Sequence, residues 1–293
     1  MSALPPWVWL DGRLVPTAEA RVSPYDRGLL LGDGLYETVR VHRGRGFRAA
    51  QHVARLVKSA DWLGLALAPE DRAAPAWEER FAALCAANGL GGADARVRIT
   101  LTRGTGGHVG APEGLVTTRL VTADALPGDV DAREESGLAA WPVRLMRHPD
   151  HAEHKTLALL PSVLAHRWMR ARGGNALDEP LFVSPEGWLL EGATSNLFVR
   201  RADGALLTPP LSRPILPGVT RAALLELCAE AREADLTLDD LRGAQEAFFT
   251  RSTRGVSPIV RLERAPVGDG RPGPRTLAAR AAYAALVTRE LGV

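Results

Sequence analysis

The alternation of apolar and polar positions divides the chain into short strands and amphipathic helices. Between Ala95 and Thr102, Val97, Ile99 and Leu101 fall on one side and Arg96, Arg98 and Thr100 on the other, the period-two pattern of a half-buried strand. Leu35 to Val41 reads as another strand. Trp7 to Val15 reads as a hairpin, because Asp11-Gly12 supplies the backbone freedom of a tight two-residue turn. Val53, Leu56, Val57, Ala60 and Leu63 recur at helical spacing, so a helix is predicted from Ala50 to Leu63 with Gly64 as its stop, and a second from Ala76 to Asn88. Further along, strands are predicted near Leu138 to Val143, Leu181 to Val183, Trp188 to Glu191, Leu197 to Arg200 and Ala247 to Thr250. Helices near Ser162 to Ala171, Arg221 to Ala231 and Leu277 to Leu291 lie between and after them.

The stretch from Leu126 to Ser136 (LPGDVDAREES) is polar, turn-rich and without period, which marks a linker. The expected organisation is a small α/β domain over 1–125, a linker over 126–136 and a larger domain over 137–293. Strands and helices mixed in both halves place the chain in the α/β or α+β class.

Composition narrows the function classes. The chain has 293 residues, 36 basic and 34 acidic, for a net charge of +2. That balance argues against disorder and against nucleic acid as the main partner. No apolar run reaches the roughly 20 residues needed to span a bilayer, and the N-terminus (MSALPPWVWL) lacks the basic segment of a signal peptide. Cys85 and Cys228 sit in apolar stretches and read as buried hydrophobes, not as a disulfide. A complete cytoplasmic protein is expected.

Only two lysines occur, Lys58 and Lys155. Lys58 lies opposite the apolar stripe of its helix, in the position of a solvated side chain. Lys155 stands between a polar run (HPDHAEH) and an apolar one (LALLPSVLA), at the entry to a buried segment. Desolvation there disfavours the ammonium form and leaves an amine able to form a Schiff base; a flanking surface lysine is the alternative. Leu216 to Thr220 (LPGVT) leads into a helix, with Gly218 for close backbone approach, Thr220 as a cap and first-turn amides suited to a phosphate. Glu191, in WLLEGATSN, is either a turn residue in water or a partly buried acid facing a cationic partner such as a pyridinium nitrogen. His148, His151 and His154 are spaced by three, but Pro149 disfavours a regular helix and no carboxylate pattern accompanies them, so no metal is expected. The glycines at 32, 34 and 104–110 do not form a dinucleotide-binding fingerprint.

Several blocks occur in order: YDRGLLLGDGLYETVRV at Tyr25 to Val41, HVARLVKSA at His52 to Ala60 and HKTLALLPSVLA at His154 to Ala165. DEPLFVSPEGWLLEGATSNLFV at Asp178 to Val199, TPPLSRPILPGVTR at Thr208 to Arg221 and EAFFTRSTRGVSPI at Glu246 to Ile259 follow. Together they resemble the class IV aminotransferases, pyridoxal-phosphate enzymes of fold type IV. The resemblance implies two α/β domains, the larger with a barrel-like sheet, the cofactor in the cleft between them, and a homodimer whose partner loop completes the pocket. It implies that Lys155 carries pyridoxal 5'-phosphate as a Schiff base and shuttles the substrate α-proton. Glu191 would pair with the pyridine nitrogen, near Asn196. Arg55 would hold the phosphate with Gly218, Val219, Thr220 and Ser252, although the helix pattern alone places Arg55 in solvent.

On the substrate side, Tyr36, Thr38 and Arg40 alternate along one strand and share a face, which is either a pocket wall or an ordinary sheet face. In RGTGGHVGAP (Arg103 to Pro112), His108 stands where related lyases and D-amino-acid transaminases carry an arginine or an arginine–histidine pair. Leu160 stands where branched-chain enzymes carry a tyrosine. The implied activity is transfer of an amino group between an amino acid or amine and a 2-oxo acid. The alternative is a 4-amino-4-deoxychorismate lyase releasing pyruvate and 4-aminobenzoate, since Thr38 matches a threonine in some of those lyases.

Overall fold

The computed structural model describes residues 4–106, 109–110, 113–126 and 136–292. The chain forms two compact units, one of Met1–Leu126, His154–Ala158 and Glu290–Val293, the other of Pro127–Glu153 and Leu159–Arg289. No helix among the described residues is long and apolar enough to cross a membrane.

The first unit is built on an antiparallel sheet of β1 (Trp7–Leu10), β2 (Arg13–Pro16), β3 (Gly34–His42), β4 (Arg45–Gly46), β5 (Asp94–Thr102) and β6 (Thr118–Ala125), in the order β2-β1-β6-β5-β3-β4. Its helices are α1 (Arg27–Leu31), α2 (Ala49–Leu63) and α3 (Ala74–Ala87). Gly64 ends α2 in the left-handed conformation, φ 68°, where its N–H reaches the carbonyls of Ala60 and Asp61. Val53, Leu56 and Ala60 of α2 and Trp77, Phe81 and Leu84 of α3 bury against Leu35, Val39, Val97, Ile99 and Leu101. The opposite sheet face pairs Tyr36 with Thr100, Thr38 with Arg98 and Arg40 with Arg96. Period-two alternation therefore separates an apolar wall from a polar one across a single sheet.

The second unit contains β7 (Leu138–Val143), β8 (Glu179–Val183), β9 (Leu189–Gly192), β10 (Asn196–Arg200), β11 (Leu206–Thr208), β12 (Ala231–Glu233), β13 (Glu246–Arg251), β14 (Gly255–Leu262) and β15 (Ala265–Pro266). Pairing runs β10-β13-β14-β7-β8-β9, and an Asn196–Glu191 bridge returns β9 to β10, so six strands close on themselves. This is the expected barrel-like sheet. Leu138, Leu181, Leu189, Leu197, Val199, Ala247, Phe249 and Ile259 share one buried apolar cluster, contributed by all six barrel strands. Helix α4 (Leu160–Ala171) sets Ala165 against Val143, Phe182 and Leu190, in a separate cluster. Three more helices are α5 (Val219–Leu227), α6 (Leu238–Arg242) and α7 (Pro274–Leu291).

Three local expectations need correction. The helix expected to run to Ala231 stops at Leu227, because Ala231–Glu233 pairs in parallel with β11 as β12, and a sheet partner overrides helix propensity there. The same helix begins at Val219 with Gly218 as its N-cap and no side-chain cap bond, so Thr220 lies inside the first turn and does not cap. The LALLPSVLA run is not a buried segment: α4 buries only Ser162, Ala165 and Met169 and leaves Leu160 and Val163 exposed.

Phe249 is fully buried in the barrel cluster. Phe249→Ala is expected to destabilise the fold by about 3–5 kcal/mol, read from urea denaturation of the purified protein. A loss below about 1 kcal/mol would show that the barrel core does not carry the stability of this unit.

Candidate active site

In the first unit, the segment bearing Lys155 joins the edge of β3: Tyr36 N–H donates to the Lys155 carbonyl at 2.9 Å, Leu157 N–H donates to the Gly34 carbonyl at 2.9 Å, and Leu35 bridges Thr156. Lys155 is half-buried, and its Nζ lies 4.4 Å from the centre of the Tyr36 ring. The preceding residue, His154, is buried; its Nδ1 is 3.0 Å from Ser59 Oγ, and its ring stacks on Trp62 at 4.1 Å. Helix α2 thus fixes the backbone from which the lysine projects. Lys58, on the same helix, is exposed, as its place opposite the apolar stripe predicts.

Arg55 is not solvated. Its side chain is 9% exposed and forms a two-pronged ion pair with Glu37, Nε to Oε1 at 2.7 Å and Nη2 to Oε2 at 2.8 Å. His52 Nδ1 lies 2.8 Å from the same Glu37 Oε2. Burial opposes ionisation of Glu37, but the Arg55 charge and the hydrogen bonds from His52 and Arg55 hold its carboxyl well below the usual carboxylate range. Burial pushes His52 below the ordinary histidine value, toward the neutral ring. Glu37 and His52 were not anticipated from sequence. The signal was present in β3, where Glu37 occupies the inward register of Leu35, Val39 and Val41.

Tyr36 and Thr38 share the polar face with Arg98, whose Cζ lies 4.0 Å from the Tyr36 ring centre and whose Nε donates to Thr100 Oγ1 at 3.2 Å. Burial pulls this guanidinium below the ordinary arginine value, and no carboxylate among the described residues pairs with it. Arg40 is committed elsewhere. Four residues, about 13 Å, along the strand from Tyr36, it donates through Nε to Asp94 at 2.9 Å, beside His42 at 2.6 Å from the same carboxylate. His108 lies outside the described residues.

In the second unit, Glu191 is 4% exposed and its carboxylate accepts from Leu216 N–H at 2.9 Å, from Asn196 Nδ2 at 3.2 Å and from Arg147. Asn196 Nδ2 also donates to the Leu216 carbonyl at 2.9 Å. A β-carbon on Gly218 would lie 1.9 Å from Asn196 Oδ1, so only glycine allows the LPGVT backbone this close to Asn196. Val219 and Thr220 open α5, and the Thr220 hydroxyl is 3.4 Å from that of Tyr283. Thr250 pairs with Asn196 in the ladder, and its buried Oγ1 makes no hydrogen bond among the described residues. Ser252 lies one residue past Arg251 in the turn that follows β13. Arg147 carried no local signal, since it follows β7 in an irregular stretch.

A family model described as amino-transferase class IV matches residues 34–262. D-alanine aminotransferase of Bacillus licheniformis is 30% identical over 281 residues, covering 92% of this chain and 93% of that one. The crystal structure of the Escherichia coli branched-chain amino acid aminotransferase superposes with a TM-score of 0.87 at 26% identity, over 97% of this chain and 95% of that one. A branched-chain amino acid aminotransferase from T.th., complexed with N-(5'-phosphopyridoxyl)-L-glutamate, superposes with a TM-score of 0.85 at 25% identity, over 97% and 96%. A match of this extent, over a fold and motifs that agree with it, makes the chain a member of the class IV aminotransferase family.

Proposed function

We propose that this protein is a pyridoxal-phosphate transaminase that moves an amino group between an amino acid and a 2-oxo acid, one of them a dicarboxylate. The observation that carries the reading is that Lys155 and Arg98 both lie against the Tyr36 ring, a candidate amine nucleophile and a half-buried cation that no carboxylate neutralises among the described residues. Pyridoxal phosphate would supply an aldehyde that condenses with amines and a ring that accepts the electrons of the breaking bond. The residues present suit it. Among the described residues the first turn of α5 has no side-chain cap on its amides and Thr250 Oγ1 is buried without a partner, and Glu191 is an acid already oriented by Leu216 and Asn196.

In this assignment Lys155 would hold the cofactor, and its Nζ would be the base that takes the proton from the substrate α-carbon. Each unit offers groups that would suit the phosphate: in the first Arg55, oriented by Glu37, and in the second Gly218, Val219, Thr220 and Ser252. Glu191, steadied by Asn196, would pair with the pyridine nitrogen. Tyr36 and Thr38 line the substrate side. Arg98 receives the second carboxylate of the dicarboxylate substrate, which would balance a guanidinium that no carboxylate pairs with among the described residues.

A homodimer is proposed as well. In the first unit, Leu29, Leu30 and Leu31 of α1 are 70%, 50% and 43% exposed beside Tyr25 at 65%. In the second, α4 exposes Leu160 at 65%, Val163 at 59% and Trp168 at 45%. Clusters of this kind favour burial against another surface.

Lys155→Ala is expected to abolish oxo-acid formation from amino donors and covalent retention of the cofactor while leaving the far-ultraviolet circular dichroism unchanged. Full turnover in that variant overturns the assignment. Arg98→Leu is expected to raise the KM for 2-oxoglutarate by at least about tenfold, from loss of one charge-assisted contact, with much less effect on pyruvate. An equal effect on both acceptors contradicts the role given to Arg98. Light scattering is expected to give twice 31.4 kDa at micromolar protein, and a monomer there would refute the dimer.

A further inference from the structure

We infer that Glu179, which no part of the proposed chemistry uses, is a positioning residue that locks the turn bearing the ring-nitrogen acid and links it to the turn bearing Ser252; the inference rests on the pyridoxal-phosphate reading. Glu179 opens β8 and is 2% exposed, in the same alternating register as Leu181 and Val183 of the barrel cluster. Its Oε1 accepts three bonds from the β9–β10 turn: Thr194 N–H at 2.8 Å, Thr194 Oγ1 at 2.9 Å and Ser195 Oγ at 3.0 Å. That turn joins Glu191 to Asn196, the two residues whose bridge closes the barrel and whose side chains are hydrogen-bonded. Gly192 is required for the contact, since a β-carbon there would lie 2.2 Å from Ser195 Oγ and 2.9 Å from Glu179 Oε1.

The other oxygen faces the second turn. Glu179 Oε2 is 3.5 Å from Arg251 Nη2, and Arg251 Nε and Nη2 make no hydrogen bond among the described residues. Glu179 is therefore the charge compensation of the arginine that precedes Ser252. A buried ion pair is weak evidence for stability, because apolar side chains of similar volume fill such a space at lower desolvation cost. Three bonds to one turn and a pair to another are what a positioning role requires. Loss of the three bonds would free the backbone between Glu191 and Asn196, and the acid would no longer meet the ring nitrogen in one geometry.

The test is titration of the full-length apoprotein with pyridoxal phosphate, reading Kd from tryptophan quenching and ring geometry from the visible circular dichroism of the bound cofactor. Glu179→Ala is expected to raise Kd on the order of tenfold and to diminish the visible signal. Glu179→Gln retains an acceptor for Thr194 and Ser195 but removes the charge that faces Arg251, and is expected to lie between wild type and Glu179→Ala. The double variant Thr194→Val/Ser195→Ala leaves both charges of the Glu179–Arg251 pair in place and is expected to fall between them. Phe249→Ala weakens the same barrel without touching the turn and reports what lost stability alone does to Kd. Wild-type Kd and circular dichroism in Glu179→Ala, or in the double variant, overturn the inference, as does a Glu179→Ala effect no larger than that of Phe249→Ala. If the wild-type protein itself takes up no pyridoxal phosphate, the cofactor reading fails, and this inference with it.

Discussion

Closure of the six-stranded barrel depends on a single backbone pair, Asn196 with Glu191. An open sheet leaves unpaired amides and carbonyls at both edges, and closing the ring satisfies them. Residues paired across a ladder direct their side chains to the same face, so the pair that completes the sheet also sets the acid beside the amide. Asn196 then reaches the Leu216 carbonyl, and the LPGVT backbone follows, passing so close that position 218 admits only glycine. The candidate ring-nitrogen acid thus inherits its position from the architecture, and α5 starts where that architecture leaves it.

The first unit solves a different problem, the burial of charge. Glu37 sits among Leu35, Val39 and Val41 under α2, where an isolated carboxylate would be strongly disfavoured. Arg55 and His52 supply its hydrogen bonds, and Arg55 is in turn kept from solvent in a fixed orientation. Arg55, Ser59 and Trp62 follow one another at spacings of four and three, so they share one stripe of α2. That stripe meets Glu37 at one point and His154, next to Lys155, at another. One helix therefore orders both the candidate phosphate ligand and the segment that carries the amine.

Much of this was legible in the chain itself. The strand at Ala95 to Thr102 and the helix at Ala50 to Leu63 appear within one residue of their predicted bounds, because each has a clean period and, for the helix, a glycine stop. The polar face carrying Tyr36, Thr38 and Arg98 could be read from alternation, but that Arg98 has no acid partner among the described residues could not, since its neighbours come from strands far apart in sequence. Arg55 was misplaced by the helix pattern because its partner, Glu37, comes from another element. Arg40 was grouped with Tyr36 by register, yet Asp94 across the sheet holds it at the far end of β3.

The sequence by itself determined the element types, the class of sheet and the family, because periodicity, turn residues and ordered motifs are local properties of the chain. Only the tertiary structure decided that Ala231–Glu233 is a strand, that Glu37 anchors Arg55, that Asn196 closes a barrel on Glu191, and that Glu179 holds the turn between them. Each of those outcomes depends on which distant backbone edge or buried charge finds its complement. Free energies of pairing and desolvation are set by neighbours in space, which residue order along the chain does not specify.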